Sequence, residues 1–323
     1  MSAFATSILI PSFRRPATLE KCLRSLATQT CLRDEVTVVW QGNDTGTRDA
    51  ATELQSRLPY PLRVLHLPEP GIVPAENTAL AAATGDIILL IDDDEIAPPK
   101  WLARHLSFYS DRKVGAVGGP AVNYHSDGTP YPRRSIEPVG RLTWYGKAVG
   151  NLYNHTQEWI SRPPQQADSL VGYNMSLRRE AFSQFEDRLK PYWQYFELDA
   201  CLQVQANGYQ VLVDFANVVD HYPSNPAYAP GRAGDLSLKV YHTAYNHSFV
   251  LAKHSRWYLR PWRIMYLLAV GSRASPGLLA FFLAVRRYGH PIREIAILAT
   301  TWRYTFSGWR TGAKAAEYNV EIP

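Results

Sequence analysis

The chain has little of what marks secreted scaffolds or membrane-embedded proteins. Its 323 residues include only three cysteines, Cys22, Cys31 and Cys201, with no CxxC pair and no zinc-like cluster. A disulfide framework is therefore excluded, and a reducing compartment is expected. No apolar stretch is long: the longest uninterrupted one, residues 278–285 (LLAFFLAV), is far short of the roughly 20 residues that span a bilayer. The opening MSAFATSILIPSFRRP has no basic stretch before its apolar run, so no signal peptide is expected. The sequence also lacks a GxGxxG fingerprint after its first strand, a GxxxxGK[ST] loop and a GxSxG elbow. Those gaps argue against dinucleotide enzymes, P-loop NTPases and serine hydrolases of the α/β type. No internal repeat is evident.

What is present suits a globular enzyme. The chain is 46% hydrophobic, enough to bury a real core, and its 20 glycines and 23 prolines are dispersed without period. Charge is divided unevenly. Residues 1–221 carry 21 Lys and Arg against 25 Asp and Glu, whereas residues 222–323 carry 13 against 4. A mildly acidic part followed by a basic, aromatic-rich part implies two jobs. We therefore expect a domain over residues 1–222 and a helical region over 223–323.

The first part alternates strand-like and helix-like segments. Residues 7–10, 36–40, 62–67 and 87–91 read as strands, and residues 17–30, 48–58 and 72–83 as helices. Residues 123–168 read as long loops with one helix near 153–160. A strand over 171–177, a helix over 197–206 and a strand over 210–215 follow. The tail is helical from about Leu236, broken near Pro261, Pro276 and Pro291. Such alternation predicts an α/β fold with a mostly parallel sheet flanked by helices, whose ligands bind beyond the carboxyl ends of the strands.

The sharpest local signal stands at one of those ends. Asp92, Asp93, Asp94 and Glu95 follow the apolar run 87–91, and consecutive acids there repel one another unless a cation or solvent relieves them. Hard divalent cations such as Mn²⁺ or Mg²⁺ take carboxylate oxygens, with phosphate oxygens completing the shell. A solvated turn is the plain alternative. A second signal is Phe196-Glu197-Leu198-Asp199. Glu197 in the first turn of a helix either balances the helix dipole or serves as a general base.

Taken together, residues 8–15 (ILIPSFRR), 71–77 (GIVPAEN), 82–86 (AATGD), 92–94 (DDD), 172–180 (GYNMSLRRE), 196–199 (FELD) and 219–221 (VDH) resemble, in order and spacing, the family-two glycosyltransferases of the glycosyltransferase A fold. The resemblance covers about residues 6–222. It implies an inverting, metal-dependent transfer of a sugar from a nucleotide-sugar donor to a hydroxyl of a glycan or lipid-linked acceptor, in glycan synthesis for polysaccharide, glycolipid or cell envelope. It further implies that Pro11, Ser12, Phe13, Arg14, Gln41, Asn77, Asp92 and Asp93 bind the nucleotide sugar. Asp94 with Asp92, and His221 as a third ligand, would hold the metal. Gly172, Tyr173, Asn174 and Asp199 would line the acceptor side, with Glu197 as the base. Three positions depart from the family pattern. Trp40-Gln41 stands where the family usually has paired acids that recognise uracil, Glu76 replaces a basic residue, and Glu197 stands where the family usually has Asp.

The tail interleaves Trp257, Trp262, Tyr266, Phe281, Phe282, Tyr288, Trp302, Tyr304 and Trp309 with arginines. That mixture suits an amphipathic element lying on an anionic membrane surface, which places the protein in the cytoplasm, peripheral on the inner face of the cytoplasmic membrane. Packing against the catalytic domain or a homo-oligomer contact are the alternatives. No nucleic-acid motif accompanies the arginines, so no nucleic-acid partner is expected. A nucleotidyltransferase, or a non-catalytic membrane-recruited binding protein that keeps the fold, are the rival functions.

Overall fold

A computed structural model describes residues 4–31, 34–132, 139–149, 157–189, 194–223, 236–272 and 274–318. The strands are β1 (Thr6–Ser12), β2 (Glu35–Gln41), β3 (Leu62–Leu67), β4 (Ile87–Leu90), β5 (Glu95–Ile96), β6 (Val114–Gly118), β7 (Ala121–Asn123), β8 (Arg141–Leu142), β9 (Ala148–Val149), β10 (Gln165–Gln166), β11 (Met175–Arg178), β12 (Gln210–Val213) and β13 (Val219–His221). The α-helices are α1 (Pro16–Leu26), α2 (Thr45–Gln55), α3 (Ile72–Ala82), α4 (Trp101–Ser107), α5 (Phe196–Ala206), α6 (Leu236–His254), α7 (Arg260–Ala269), α8 (Leu278–Tyr288) and α9 (Pro291–Tyr318).

The chain divides into two compact units. The first comprises Met1–Arg141, Gly150–Phe185 and Ala200–Tyr228, and the second Leu142–Val149, Glu186–Asp199 and Ala229–Pro323. The sequence marks the change of character near residue 222 but gives no sign that 142–149 and 186–199 fold with the tail. Helix α5 begins in the second unit and ends in the first.

The first unit is built on an eight-stranded sheet in the order β10-β12-β6-β11-β4-β1-β2-β3. β4, β1, β2 and β3 run parallel, as do β12 and β6, while β11 lies antiparallel between β4 and β6. Fully buried Ile8, Leu9 and Ile10 of β1 and Ile87 to Leu90 of β4 explain the unbroken apolar runs: strands covered on both faces have no polar side. The chain winds from β1 outward to β2 and β3 and then returns to β4 on the other side of β1. That reversal makes the β1/β4 boundary a topological switch point, where such sheets open a ligand crevice. A small sheet, β5-β13-β7, brings His221 opposite Glu95 in register.

The expected elements of the first 120 residues are present with ends shifted by a few residues. Two expectations change. Residues 171–177 are not one strand: Gly172–Asn174 is a 3-10 turn and the strand starts at Met175. The helix expected at 153–160 lies partly outside the described residues, and the described part is the 3-10 turn Gln157–Ser161.

In the second unit α6 and α9 pack along their lengths. A Cβ at Gly308 would meet the carbonyl oxygen of Tyr245 at 2.2 Å, and one at Gly312 that of Phe249 at the same distance. These two glycines, four residues apart on one helix face, permit a backbone approach that any side chain would block. Among the described residues no helix is long and apolar enough to cross a membrane.

Candidate active site

The acid run leaves β4 at the switch point. Asp93, Asp94 and Glu95 are all buried, at 2%, 3% and 1% exposure. Buried carboxylates need cations and donors, and the chain supplies both locally. Arg15, in the turn between β1 and α1, places one Nη1 atom 2.8 Å from Asp93 Oδ1 and 2.8 Å from Asp94 Oδ2. Ser12 Oγ, at the end of β1, donates to Asp93 Oδ2 at 2.6 Å. Burial and the charge of Asp94 push Asp93 upward against Arg15 and Ser12, and its carboxyl ends raised to about 7. For Glu95, burial and then the charges of Asp92 and Asp94 all push the same way, so its carboxyl lies well above the usual range. The run thus holds two acids whose ionisation burial opposes, Asp93 and Glu95, and a single guanidinium that pairs with Asp93 and Asp94.

His221 joins this group from β13. Its Nδ1 lies 2.7 Å from Asn123 Oδ1, which fixes the ring so that Nε2 stands 3.4 Å from Asp94 Oδ1. Tyr173 stacks on the same imidazole with ring centroids 5.0 Å apart. Two ligands on one octahedral cation with bonds of about 2.1 Å stand roughly 3 Å apart. The spacing of Asp94 and His221, together with Asp92 at the mouth of the run, thus fits a Mn²⁺ or Mg²⁺ ion. No group of three His, Cys, Asp or Glu side chains among the described residues forms a closed metal cage. The fit is to a cation held by one or two side chains plus ligand oxygens.

Beyond the ends of β1 and β2 lie Phe13, Arg14 and Gly42. Arg14 has a positive φ of 59° and Gly42 one of 61°. The main-chain N–H of Arg14 donates to Asp44, which also caps α2 through Thr47 N at 3.2 Å. A Cβ on Gly42 would touch the rings of Pro70 and Phe13. The geometry sets a flat aromatic ring and an arginine at the carboxyl edge of the sheet, next to the acids.

Several residues assigned to binding by resemblance are instead braces. Gln41, 6% exposed, donates to Ser12 O at 3.4 Å and accepts from Gly71 N at 2.8 Å, tying the β1 and β3 loops together. Asn77 spends its amide on the main chain of Phe185, donating to O and accepting from N, both at 2.9 Å. Asn174 is fully buried. Its Oδ1 accepts from Trp101 Nε1 and lies 3.1 Å from His105 Nε2, while its Nδ2 donates to Pro120 O and Asn217 O. Four partners exhaust a primary amide, so Asn174 has nothing left for an acceptor. Pro11 and Gly172 lie at the edge of the same region as parts of β1 and of the 3-10 turn.

Glu197 sits half-buried in the first turn of α5, and Asp199 two residues on is completely buried. Both belong to the second unit. The acceptor side is expected for Asp199, but its carboxylate is engaged by α6. It accepts from Lys253 Nζ at 3.0 Å and lies 2.8 Å from His254 Nε2, both at the end of α6. Lys253 also bonds Glu186 at 3.0 Å, and Glu186 is paired in turn with Arg188 at 2.6 Å. Burial would raise Asp199, but the hydrogen bonds and charges of His254 and Lys253 outweigh it and hold the carboxyl down to about 2. This buried network fixes the start of the helix that carries Glu197. Nothing local in the sequence announces it, because its members are 55 residues apart. Arg15 was within reach of sequence reasoning, as the neighbour of Arg14 in the first loop, but only the fold shows which of the two arginines meets the acids.

The family model described as Glycosyl transferase family 2 matches residues 7–185, more than half of the chain. The chain belongs to this family. Among curated relatives, the succinoglycan biosynthesis protein ExoM of Rhizobium meliloti is 28% identical over 184 residues, covering 55% of this chain and 53% of that protein. The glycosyltransferase AglE of Haloferax volcanii is 28% identical over 130 residues, covering 39% and 43%. The matched part thus spans about half the length of these relatives. Among solved structures, the mannosyltransferase PcManGT from Pyrobaculum calidifontis, in complex with GDP-Man and Mn²⁺, aligns with a TM-score of 0.58 at 20% identity, covering 98% of this chain and 85% of that one. The structure of residues 1–349 of S. aureus TarS with UDP aligns with a TM-score of 0.55 at 14% identity, covering 98% and 92%. The fold of this family-2 chain is therefore of the glycosyltransferase A type, α/β with a C-terminal helical region.

The ion network yields a pH-dependent prediction. A carboxyl held below its unfolded value near 4 stabilises the fold above that value and loses the contribution as pH falls toward 2. Lys253→Met leaves Asp199 and Glu186 buried with too little positive charge, and we expect it to destabilise the chain by about 3–5 kcal/mol at neutral pH. Urea unfolding of wild type and variant should show this gap narrowing as pH falls through the carboxylate range. A gap independent of pH would contradict the assignment.

Proposed function

We propose that this family-2 protein is an inverting glycosyltransferase that moves a sugar from a nucleotide-sugar donor to an acceptor hydroxyl. The observation that carries the reading is the acid run Asp92 to Asp94 at the β1/β4 switch point, with Asp93 and Asp94 buried and His221 aimed at Asp94. Asp94 and His221 would hold Mn²⁺ or Mg²⁺ together with ligand oxygens, and Asp92 would contact the nucleotide sugar. That ion, when bound, supplies positive charge against the departing diphosphate. Phe13 offers a ring face to the nucleotide and Arg14 a positive charge to its phosphates, while Arg15 and Ser12 keep Asp93 in place. Glu197 accepts the proton of the acceptor hydroxyl as that oxygen bonds to the anomeric carbon and the bond from carbon to the donor phosphate breaks. One attack from the face opposite the leaving group inverts the centre. The solved structures of similar fold, one in complex with GDP-Man and Mn²⁺ and another with UDP, support a nucleotide-sugar donor and a divalent cation here.

An anionic membrane surface is the second part of the proposal. Helix α8 has no buried residue: Leu279, Phe282, Leu283 and Tyr288 are 56–60% exposed, and Arg286 and Arg287 occupy its last turn. Ile292 of α9 and Trp257 are 84% and 80% exposed. One face of α8 is half-buried against α9 and α7, and the other leaves apolar side chains beside arginines, which suits a lipid interface. Each basic residue near such a surface contributes about 1 kcal/mol. The setting that follows is peripheral attachment at the cytoplasmic face of the membrane, with a glycan or lipid-linked acceptor.

Two sets of measurements test these readings. Asp94→Asn should abolish both turnover and Mn²⁺-dependent nucleotide affinity, whereas Glu197→Gln should keep donor and metal binding and slow transfer at least about a hundredfold. Loss of donor affinity with surviving turnover in Glu197→Gln would remove it as the base. For the membrane, the full chain should co-sediment with vesicles containing anionic lipid, less so as salt rises, and Phe282→Glu with Leu283→Glu should weaken this at least about tenfold. Unaltered binding in that double variant would count against α8. Truncation after residue 222 is unsuited to the purpose, since it strips Lys253 and His254 from Asp199.

A further inference from the structure

The second unit contains a cavity of about 960 Å³, lined by Trp144, Tyr145, Tyr195, Trp262, Tyr266 and Lys147 together with aliphatic side chains of α7 and Ala280 of α8. It is unrelated to the acid run and lies wholly within this unit. Its volume is at the upper end of the roughly 300–1,000 Å³ of small-molecule sites. The wall is a set of rings held at fixed angles. Trp144 meets Trp262 edge to face at 6.0 Å, Tyr145 meets Tyr266 at 5.2 Å, and Tyr195 stacks on His247 at 4.5 Å and 5°.

The cavity is built rather than incidental. The turn that presents Trp144 is pinned from two helices. His247 Nε2 lies 2.9 Å from Gly146 O, and Arg263, itself buried, donates to Trp144 O at 3.2 Å and to Ser255 at 2.8 Å. Tyr195 reaches its place through a positive φ of 75°, which a tyrosine adopts only at a cost in strain. Trp144, Trp262 and Met265 are nonetheless 51–59% exposed, so the rings are fixed yet open to a ligand.

Three observations choose the ligand. The lining is mostly apolar, with Met265, Ala269, Val270 and Ala280 among the rings, which suits hydrocarbon more than a hydroxyl-rich sugar. Among the described lining residues Lys147 is the charged one, so any charge the ligand carries there is negative. Ala280 belongs to α8, whose Leu279, Phe282 and Leu283 are exposed, so the cavity adjoins an apolar surface of the unit. We propose that this cavity binds the hydrocarbon chain of an anionic, lipid-linked acceptor. Its position also joins it to the chemistry. Tyr195 O accepts the N–H of Asp199 at 3.0 Å and so starts α5, two residues ahead of Glu197. An acceptor whose chain packs on Tyr195 brings its head group to the segment that carries the base; this last step rests on the role proposed for Glu197.

The test uses decyl phosphate below its micelle concentration, with the full-length chain and tryptophan fluorescence as readout. Saturable binding is expected, weakened at least about tenfold by Trp262→Ala and by Ala280→Trp, which fills the cavity without removing a contact. Lys147→Gln should weaken decyl phosphate but not decanol. Glu197→Gln should bind normally, so the cavity stands or falls separately from the base. Three results would overturn the proposal: no saturable signal, inorganic phosphate binding as well as decyl phosphate, or a concentration-dependent dimer that Ala280→Trp disperses, the last making the cavity an interface between copies.

Discussion

Carboxylates in a row at the end of a buried strand repel one another, and the first unit is arranged around that repulsion. β4 must end at the switch point for its acids to reach a ligand crevice, yet its last residues are too deeply buried for water to neutralise them. Arg15 resolves the conflict by lying between Asp93 and Asp94. Burial works against its charge, but the two carboxylates hold it firmly protonated. The sequence Arg14-Arg15-Pro16 divides the labour. Pro16 starts α1, Arg15 turns inward to the acids, and Arg14, at positive φ, stays beside Phe13 at the open edge. A cation and a diphosphate would add to a site already balanced by one fixed positive charge. That favours binding the two together over binding a bare metal ion.

A similar constraint organises the second unit. Lys253 and His254 end α6 exactly where Asp199 and Glu186 are buried, so the helical region holds the opening turn of α5 in place. Gly308 and Gly312 allow α9 to press on α6, which keeps those cations from drifting. The C-terminal region is thus bound up with the candidate base. Its hydrophobic outer helix and its aromatic cavity belong to the same unit, which fits an acceptor delivered from lipid.

Much of the fold was legible. The alternation of period, the apolar run of β4 and the acids after it follow from local rules, and they place the crevice without any distant contact. Residue roles were legible only where chemistry and position coincide. Asp92 to Asp94 stand at a strand end, and their type fixes what they can hold. Asn77 and Asn174 show the limit: an amide in a motif can equally be a brace, and only its hydrogen-bond partners, two for Asn77 and four for Asn174, decide. Asp199 shows another. Its sequence neighbour Glu197 suggested a shared site, yet a helix turns about 200° in two residues, and the carboxyl points into an ion network built by residues far along the chain. The Gly308/Gly312 pair was a readable signal, whereas the inclusion of 142–149 and 186–199 in the second unit depends on contacts that no local pattern encodes.

The central claim is that the acid run and the loop after β1 form one site for a divalent cation and a nucleoside diphosphate. Calorimetric titration of the full chain with GDP, UDP and TDP, each in Mn²⁺ and again in excess chelator, tests it most directly. The account predicts saturable one-to-one binding of at least one of the three in Mn²⁺, lost in chelator. Equal affinity with and without the cation, or no binding of any of the three, would contradict it.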